Sequence, residues 1–199
     1  MFIALLSVLI VFVIGFIIFL TYLRTMTSET FTKLCFNKVK RISNRKKLLS
    51  ILDLHLLNHD REKLKVNHVV FGKKYIYLIS DLMLKGFVSG EVNDNSWVYF
   101  NNITKKTHYL DNLNKVSDKN IQDFAGILGI SADPIISICL IPNECDINVN
   151  GYQDTNKMIV RFSSLNRVIS TLERQQIGSF KQEQIYEQYK KIKNRNEEK

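Results

Sequence analysis

Proline is almost missing from this chain, with Pro134 and Pro142 as its two examples, and no Gly, Ser or Pro-rich stretch interrupts it. Nothing in the composition therefore marks an internal linker, and no repeat divides the sequence, so the residues after the first stretch read as one domain. Cysteine is sparse and odd in number. Cys35, Cys139 and Cys145 lack C-x-x-C spacing, which gives no zinc or redox signature and fits thiols that pack in a reducing compartment. The phosphate cradles G-x-x-x-x-G-K-[ST] and G-x-G-x-x-G are absent, as is the hydrolase elbow G-x-S-x-G, which argues against nucleotide hydrolysis. His55 and His59 are four apart but lack the glutamate of H-E-x-x-H, and the alternation around them suits a strand, so no metal site is expected.

What is present begins with an uncharged apolar run from Phe2 to Leu23. As a helix it would rise about 33 Å, enough for a hydrocarbon core of about 30 Å, and no cleavage site for a signal peptide follows it. The sequence thus predicts a single-pass anchor over residues 1–23. Residues 24–74 carry thirteen basic against four acidic side chains, and the remaining residues fifteen of each, so the whole excess of +9 follows the run. By the positive-inside rule the C-terminal domain is expected on the cytoplasmic side of the cell membrane. Lys38, Lys40, Arg41, Arg45, Lys46 and Lys47 form the densest part of the cluster. Two partners fit it: the anionic lipid headgroups of the bilayer, or the phosphates of a nucleic acid.

Further expectations follow from periodicity. Phe31, Leu34, Cys35, Val39 and Ile42 recur at helical spacing, giving a basic juxtamembrane helix over 24–49. Short β-branched or aromatic runs at 66–71, 75–80, 82–88, 97–100 and 107–110 read as strands, and 48–57 is ambiguous between helix and strand. The period then switches to helical over 112–130. Residues 135–141, between the two prolines, suit a strand buried on both faces, with 158–162 as a partner. Ser163 and Ser164 can cap a helix over 165–176, and 179–199 reads as a polar, frayed helix or tail. The expected fold class is α/β: a transmembrane helix, then one mixed sheet flanked by helices in a domain over 50–178.

Residues Val66-Asn67-His68-Val69-Val70-Phe71-Gly72, then Tyr75 to Leu82, then Gly86-Phe87-Val88-Ser89-Gly90 and Trp97, run strand, glycine turn, strand, glycine pair and tryptophan. In that order the block resembles the nuclease-related domain family, NERD, over residues 50–175. The resemblance implies a restriction-endonuclease-like fold of the PD-(D/E)xK type. In that type an Asp and a Glu hold Mg²⁺, whose charge offsets that of the phosphate, and a Lys assists the attacking water. At the matching positions this chain has Asn67 for the Asp, Ser80 for the Glu and Leu82 for the Lys, while the next residue, His68, is kept. The resemblance therefore implies a site stripped of both anions and its cation. Rescue by Asp81, with Lys85 or Glu91, would need a bulge, because alternate strand residues face opposite ways.

The reading so reached is a catalytically degenerate NERD-like domain, leaning away from enzyme activity, that binds or scaffolds at the membrane face and carries affinity for nucleic acid. No cofactor, metal or small-molecule substrate is indicated. The alternatives are an active Mg²⁺-dependent nuclease using displaced carboxylates, and a subunit that docks a membrane protein.

Overall fold

A computed structural model describes residues 10–16, 27–58, 61–151, 156–175 and 180–197. The first long helix, α1 (Ser28–Lys46), starts at Thr27, whose hydroxyl accepts the Thr30 amide at 3.2 Å, and ends at Lys47 in the left-handed region. Phe31, Cys35, Val39 and Ile42 recur every three or four residues and give it one buried stripe.

Two sheets follow. The first contains β1 (Leu49–Leu52), β2 (His68–Phe71), β3 (Ile76–Asp81), β7 (Ile135–Ile141) and β9 (Lys157–Arg161) in spatial order 1-2-3-7-9. Its first three strands form an antiparallel meander, whereas β3, β7 and β9 run parallel. The second contains β4 (Gly86–Glu91), β5 (Ser96–Asn101), β6 (Lys106–Asp111) and β8 (Asp146–Asn150) in order 6-5-4-8, with β8 parallel to β4. The remaining helices are α2 (Leu113–Leu128), α3 (Leu165–Leu172), preceded by a 3-10 turn at Phe162–Ser164, and α4 (Gln182–Glu197).

Alternation decides which helix covers which face. Val69, Phe71, Ile76 and Leu78 point to the side of α2 and α4, where Ile121, Phe124 and Ile192 close a core. Val70, Tyr77, Ile79 and Ile138 point to the other side, beneath α1 and α3. All seven residues of β7 are buried, as a parallel strand covered on both faces should be. A third core, around Trp97, Val88 and Cys139, joins the second sheet to the first.

Three expectations are corrected. The anchor is the first: among the described residues no helix is long and apolar enough to cross a membrane. Residues 10–16 are helical and exposed, but seven residues rise only about 10 Å; residues 1–9 and 17–26 lie outside the described residues. The single-pass membrane localisation and the cytoplasmic placement of the domain fall with it.

The second correction concerns the single mixed sheet. The strand expected from Leu82 starts instead at Gly86, whose φ is +145° and where an added Cβ would lie 2.0 Å from the Phe100 carbonyl oxygen. Only glycine tolerates that conformation and approach. The chain therefore leaves β3 at Asp81, turns through residues 82–85, and builds a separate sheet.

Third, the C-terminal helix is not a frayed tail: Ile192 is fully buried, Tyr189 meets Phe71 edge-on at 5.9 Å, and Asn196 Oδ1 accepts the His55 amide at 2.7 Å. Its polar composition hid a narrow apolar stripe. α3 also stops at Leu172, and its N-cap, Ser164, makes no side-chain capping bond.

Asn112 sets where α2 begins. Its Oδ1 accepts the amides of Asn114 and Lys115 at 2.9 and 3.4 Å, while Nδ2 donates to the carbonyls of Val92 and Asp94 at 2.9 and 2.7 Å. Asn112→Ala removes the cap and unties α2 from the second sheet. We expect it to lower unfolding free energy by about 2 kcal/mol, read as a lower urea midpoint at unchanged slope.

Candidate functional site

Asn67, Ser80 and Leu82, the three positions singled out in the sequence, line one cavity. Asn67, just before β2, donates its amide to the Ile79 carbonyl at 2.9 Å, and its Oδ1 accepts the Asp81 amide at 3.0 Å. Ser80, near the end of β3, donates from Oγ to the Lys65 carbonyl at 2.6 Å. Leu82 donates its amide to the Leu140 carbonyl at 2.9 Å. Together they line a cavity of about 240 Å³, closed by Ser117 and Asn120 of α2, Cys139 of β7 and Asp111 of β6.

Its chemistry is neutral. The strand residues offer an amide, a hydroxyl and an isobutyl group. Asp111 alone brings a carboxylate to the rim, and Lys65 engages it at 2.9 Å. Both side chains of that ion pair are about two-thirds exposed or more (67% and 71%), so the pair is worth little. Burial pushes the Cys139 thiol up to about 12, with Cys145 and Asp81 adding to the effect, so it stays protonated and is neither a nucleophile nor a ready metal ligand. Among the described residues no three His, Cys, Asp or Glu side chains gather in a way that could hold a metal ion. A hard divalent cation needs several anionic oxygens, so the residues at Asn67, Ser80 and Leu82 do not fit Mg²⁺.

Asp81 belongs to the opposite face. Its side chain is wholly buried beside His68 in the layer under α1, with Oδ1 3.4 Å from His68 Nε2. Neither that imidazole nitrogen nor either carboxylate oxygen has a hydrogen-bond partner among the described residues. His68 Nδ1 accepts the Asp53 amide at 3.2 Å, and the ring meets Phe36 edge-on. In the neutral imidazole this places the proton on Nε2, toward Asp81. Asp81 therefore reaches the cavity through its backbone only. Lys85 and Glu91 sit at opposite ends of the β4 segment, with the Lys85 amide donating to the Tyr99 hydroxyl at 2.8 Å and the Glu91 carbonyl accepting Trp97 Nε1 at 2.9 Å. His55 contacts Asp53 at 3.2 Å, and His59 lies outside the described residues.

The basic residues of α1 divide into two groups. Lys40, Arg41 and Arg45 are exposed on the helix face away from the core, as is Lys47 at the C-cap. Lys38 and Lys46 instead hold α1 to the 162–170 segment. Lys38 Nζ lies 4.2 Å above the Phe162 ring and donates to the Ser163 carbonyl at 3.4 Å, and Lys46 Nζ donates to Ser170 Oγ at 2.6 Å. Partial burial moves the Lys38 ammonium below its ordinary range. Lys65, Asp111 and Asn120 around the cavity carry no motif; only the fold brings these three segments together.

No model of a known protein family matches the sequence, and no curated protein matches it. Among solved structures, the chain is similar to a crystal structure of the protein of unknown function AF1548. The two are 9% identical, the match covers 83% of this chain and 95% of that chain, and the TM-score is 0.33. A likeness of that degree carries no argument about function.

Proposed function

We propose that this chain is a catalytically degenerate NERD-like domain that works as a nucleic-acid-binding module. The observation that supports the reading is the meeting of Asn67, Ser80 and Leu82 at one cavity: the positions where a nuclease of this type would gather two carboxylates and an ammonium carry none of the three. The active-nuclease alternative loses its displaced carboxylate, because Asp81 is turned to the other face of the sheet. The case for lipid headgroups at the basic cluster rested on the anchor. Phosphates of a nucleic acid fit the same exposed residues without it.

Lys40, Arg41 and Arg45 are then the contacting residues. In the variant Lys40→Glu/Arg41→Glu/Arg45→Glu, affinity for a fluorescein-labelled DNA duplex is expected to fall at least about tenfold at low salt. The dependence of log K on log salt should also flatten by roughly one unit per lost phosphate contact. Fluorescence anisotropy over a salt series measures both. Equal affinity and an equal slope in wild type and variant would remove these three residues as the contacts, and no binding by wild type would remove nucleic acid as the partner.

A further inference from the structure

Four segments far apart in sequence line an open cleft of about 1230 Å³. They are the C-terminal end of α1 running into β1, the turn between β2 and β3, Glu173 just after α3, and the start of α4. The rim carries Lys46, Lys47, Lys73, Lys74 and Lys181. Two glutamates also line the cleft, and one of them is already engaged. Glu173 accepts the amides of Lys73 and Lys74 at 2.9 and 3.5 Å and the Tyr77 hydroxyl at 2.6 Å. That bonded carboxylate fits closely against Gly72, where an added Cβ would come within 2.2 Å of Glu173 Oε1.

Five lysines against two glutamates give the cleft a positive excess, with Lys46 Nζ already bonded to Ser170 Oγ, and its floor says what kind of anion fits. Phe180 and Tyr186 line it together with Leu49 and Ile185. Tyr186 is half exposed (50%), and Lys190 Nζ lies 4.6 Å above its ring. Interleaved ammonium groups and aromatic faces are the two elements that hold an unpaired nucleic-acid strand: cations follow the phosphates, and rings stack on bases. A duplex keeps its base faces inside its own stack, so it gains the charge but not the floor. The volume exceeds the roughly 300 to 1000 Å³ of a small-molecule site, as a polymer segment requires. Lys46 and Lys47 also end the helix whose outer face carries Lys40, Arg41 and Arg45, so the cleft continues that basic surface.

We infer that this cleft takes single-stranded nucleic acid, with phosphates on the lysine rim and bases against Tyr186 and Phe180. This rests on the nucleic-acid reading above and adds strand specificity to it. The test uses the full chain, a labelled single-stranded 12-mer and the corresponding duplex, each probe length being about that of one single-strand binding site. Tyr186→Ala should weaken the single strand about tenfold and leave the duplex unchanged, since the side chain is half exposed on a helix that tolerates alanine. Lys73→Glu/Lys181→Glu should weaken the single strand more than the duplex. Circular dichroism confirms that both variants fold. If both bind the single strand as wild type does, while the triple α1 variant loses binding, the cleft assignment is overturned and the binding module stands. If wild type binds neither probe, both readings fall. A loss of duplex affinity in Tyr186→Ala as large as that for the single strand would overturn the strand preference.

Discussion

Placing two acids and an amine at the cavity, Asn67→Asp, Ser80→Glu and Leu82→Lys, is expected to turn its neutral lining into a divalent-cation site. Asp at 67 keeps an acceptor for the Asp81 amide, now 3.0 Å from Asn67 Oδ1. Glu at 80 gives up the hydroxyl bond to the Lys65 carbonyl, a loss of about 1 kcal/mol, and carries a second carboxylate to the cavity. Leu82 is half-buried at the rim, where a lysine can keep its stem packed and its ammonium in water. Two hard anionic oxygens facing one point are what Mn²⁺ or Mg²⁺ needs. With free metal at about a hundred times Kd, binding stabilises the folded state by about 2.7 kcal/mol. For a chain of this size that is a rise in Tm of about 5 to 10 °C. Wild type should show no rise. A folded triple variant whose Tm ignores Mn²⁺ would mean that these positions do not correspond to the family's site.

The second large effect concerns His68 and Asp81. Removing one partner of a buried pair strands the other, whereas removing both leaves an apolar layer. His68→Leu leaves the Asp81 carboxyl group, which has no exposed side-chain surface, without the imidazole nitrogen 3.4 Å away and should cost about 3 kcal/mol. Asp81→Leu should cost about 1 kcal/mol, because His68 Nδ1 still accepts the Asp53 amide. The double variant should return to within about 1 kcal/mol of wild type, since apolar replacement of buried polar pairs is often neutral. Chemical denaturation of all four proteins closes the cycle. Additive single effects would show that the two side chains, 3.4 Å apart, do not depend on each other.

Much of the fold could be read along the chain. The helical period at 112–130, the apolar run of 135–141 and the β-branched runs at 66–71 and 75–80 became the helix Leu113–Leu128 and the strands Ile135–Ile141, His68–Phe71 and Ile76–Asp81. One strand stays open in the sequence and one escapes notice. Leu49–Leu52 lies in the stretch that reads as either helix or strand, because it adjoins a helix of similar composition, and Asp146–Asn150 lies at an edge with exposed polar residues alternating with half-buried ones, which leaves little apolar signal. The second sheet escaped because strand runs show period and not pairing, and the break at Gly86 depends on a backbone angle that no neighbouring residue announces. At the cavity, Asn67, Ser80 and Leu82 were singled out in the sequence and line it together, whereas Lys65, Asp111, Ser117 and Asn120 carried no sequence signal.

The sequence by itself determined the chemistry available at each position. An amide, a hydroxyl and a methyl-bearing chain stand at positions 67, 80 and 82, and no folding of the backbone changes that. It also determined element type wherever neighbours two, three or four residues apart agreed on one face. Alternation already set Asp81 on the face opposite Ser80 and Leu82, but tertiary structure alone decided that His68 meets it there. It also decided which lysines hold α1 in place and which stay in water, and it assembled a basic cleft from segments over a hundred residues apart. The reason is that register and docking are set by the burial of distant apolar surface, a property of pairs of elements that no local window contains.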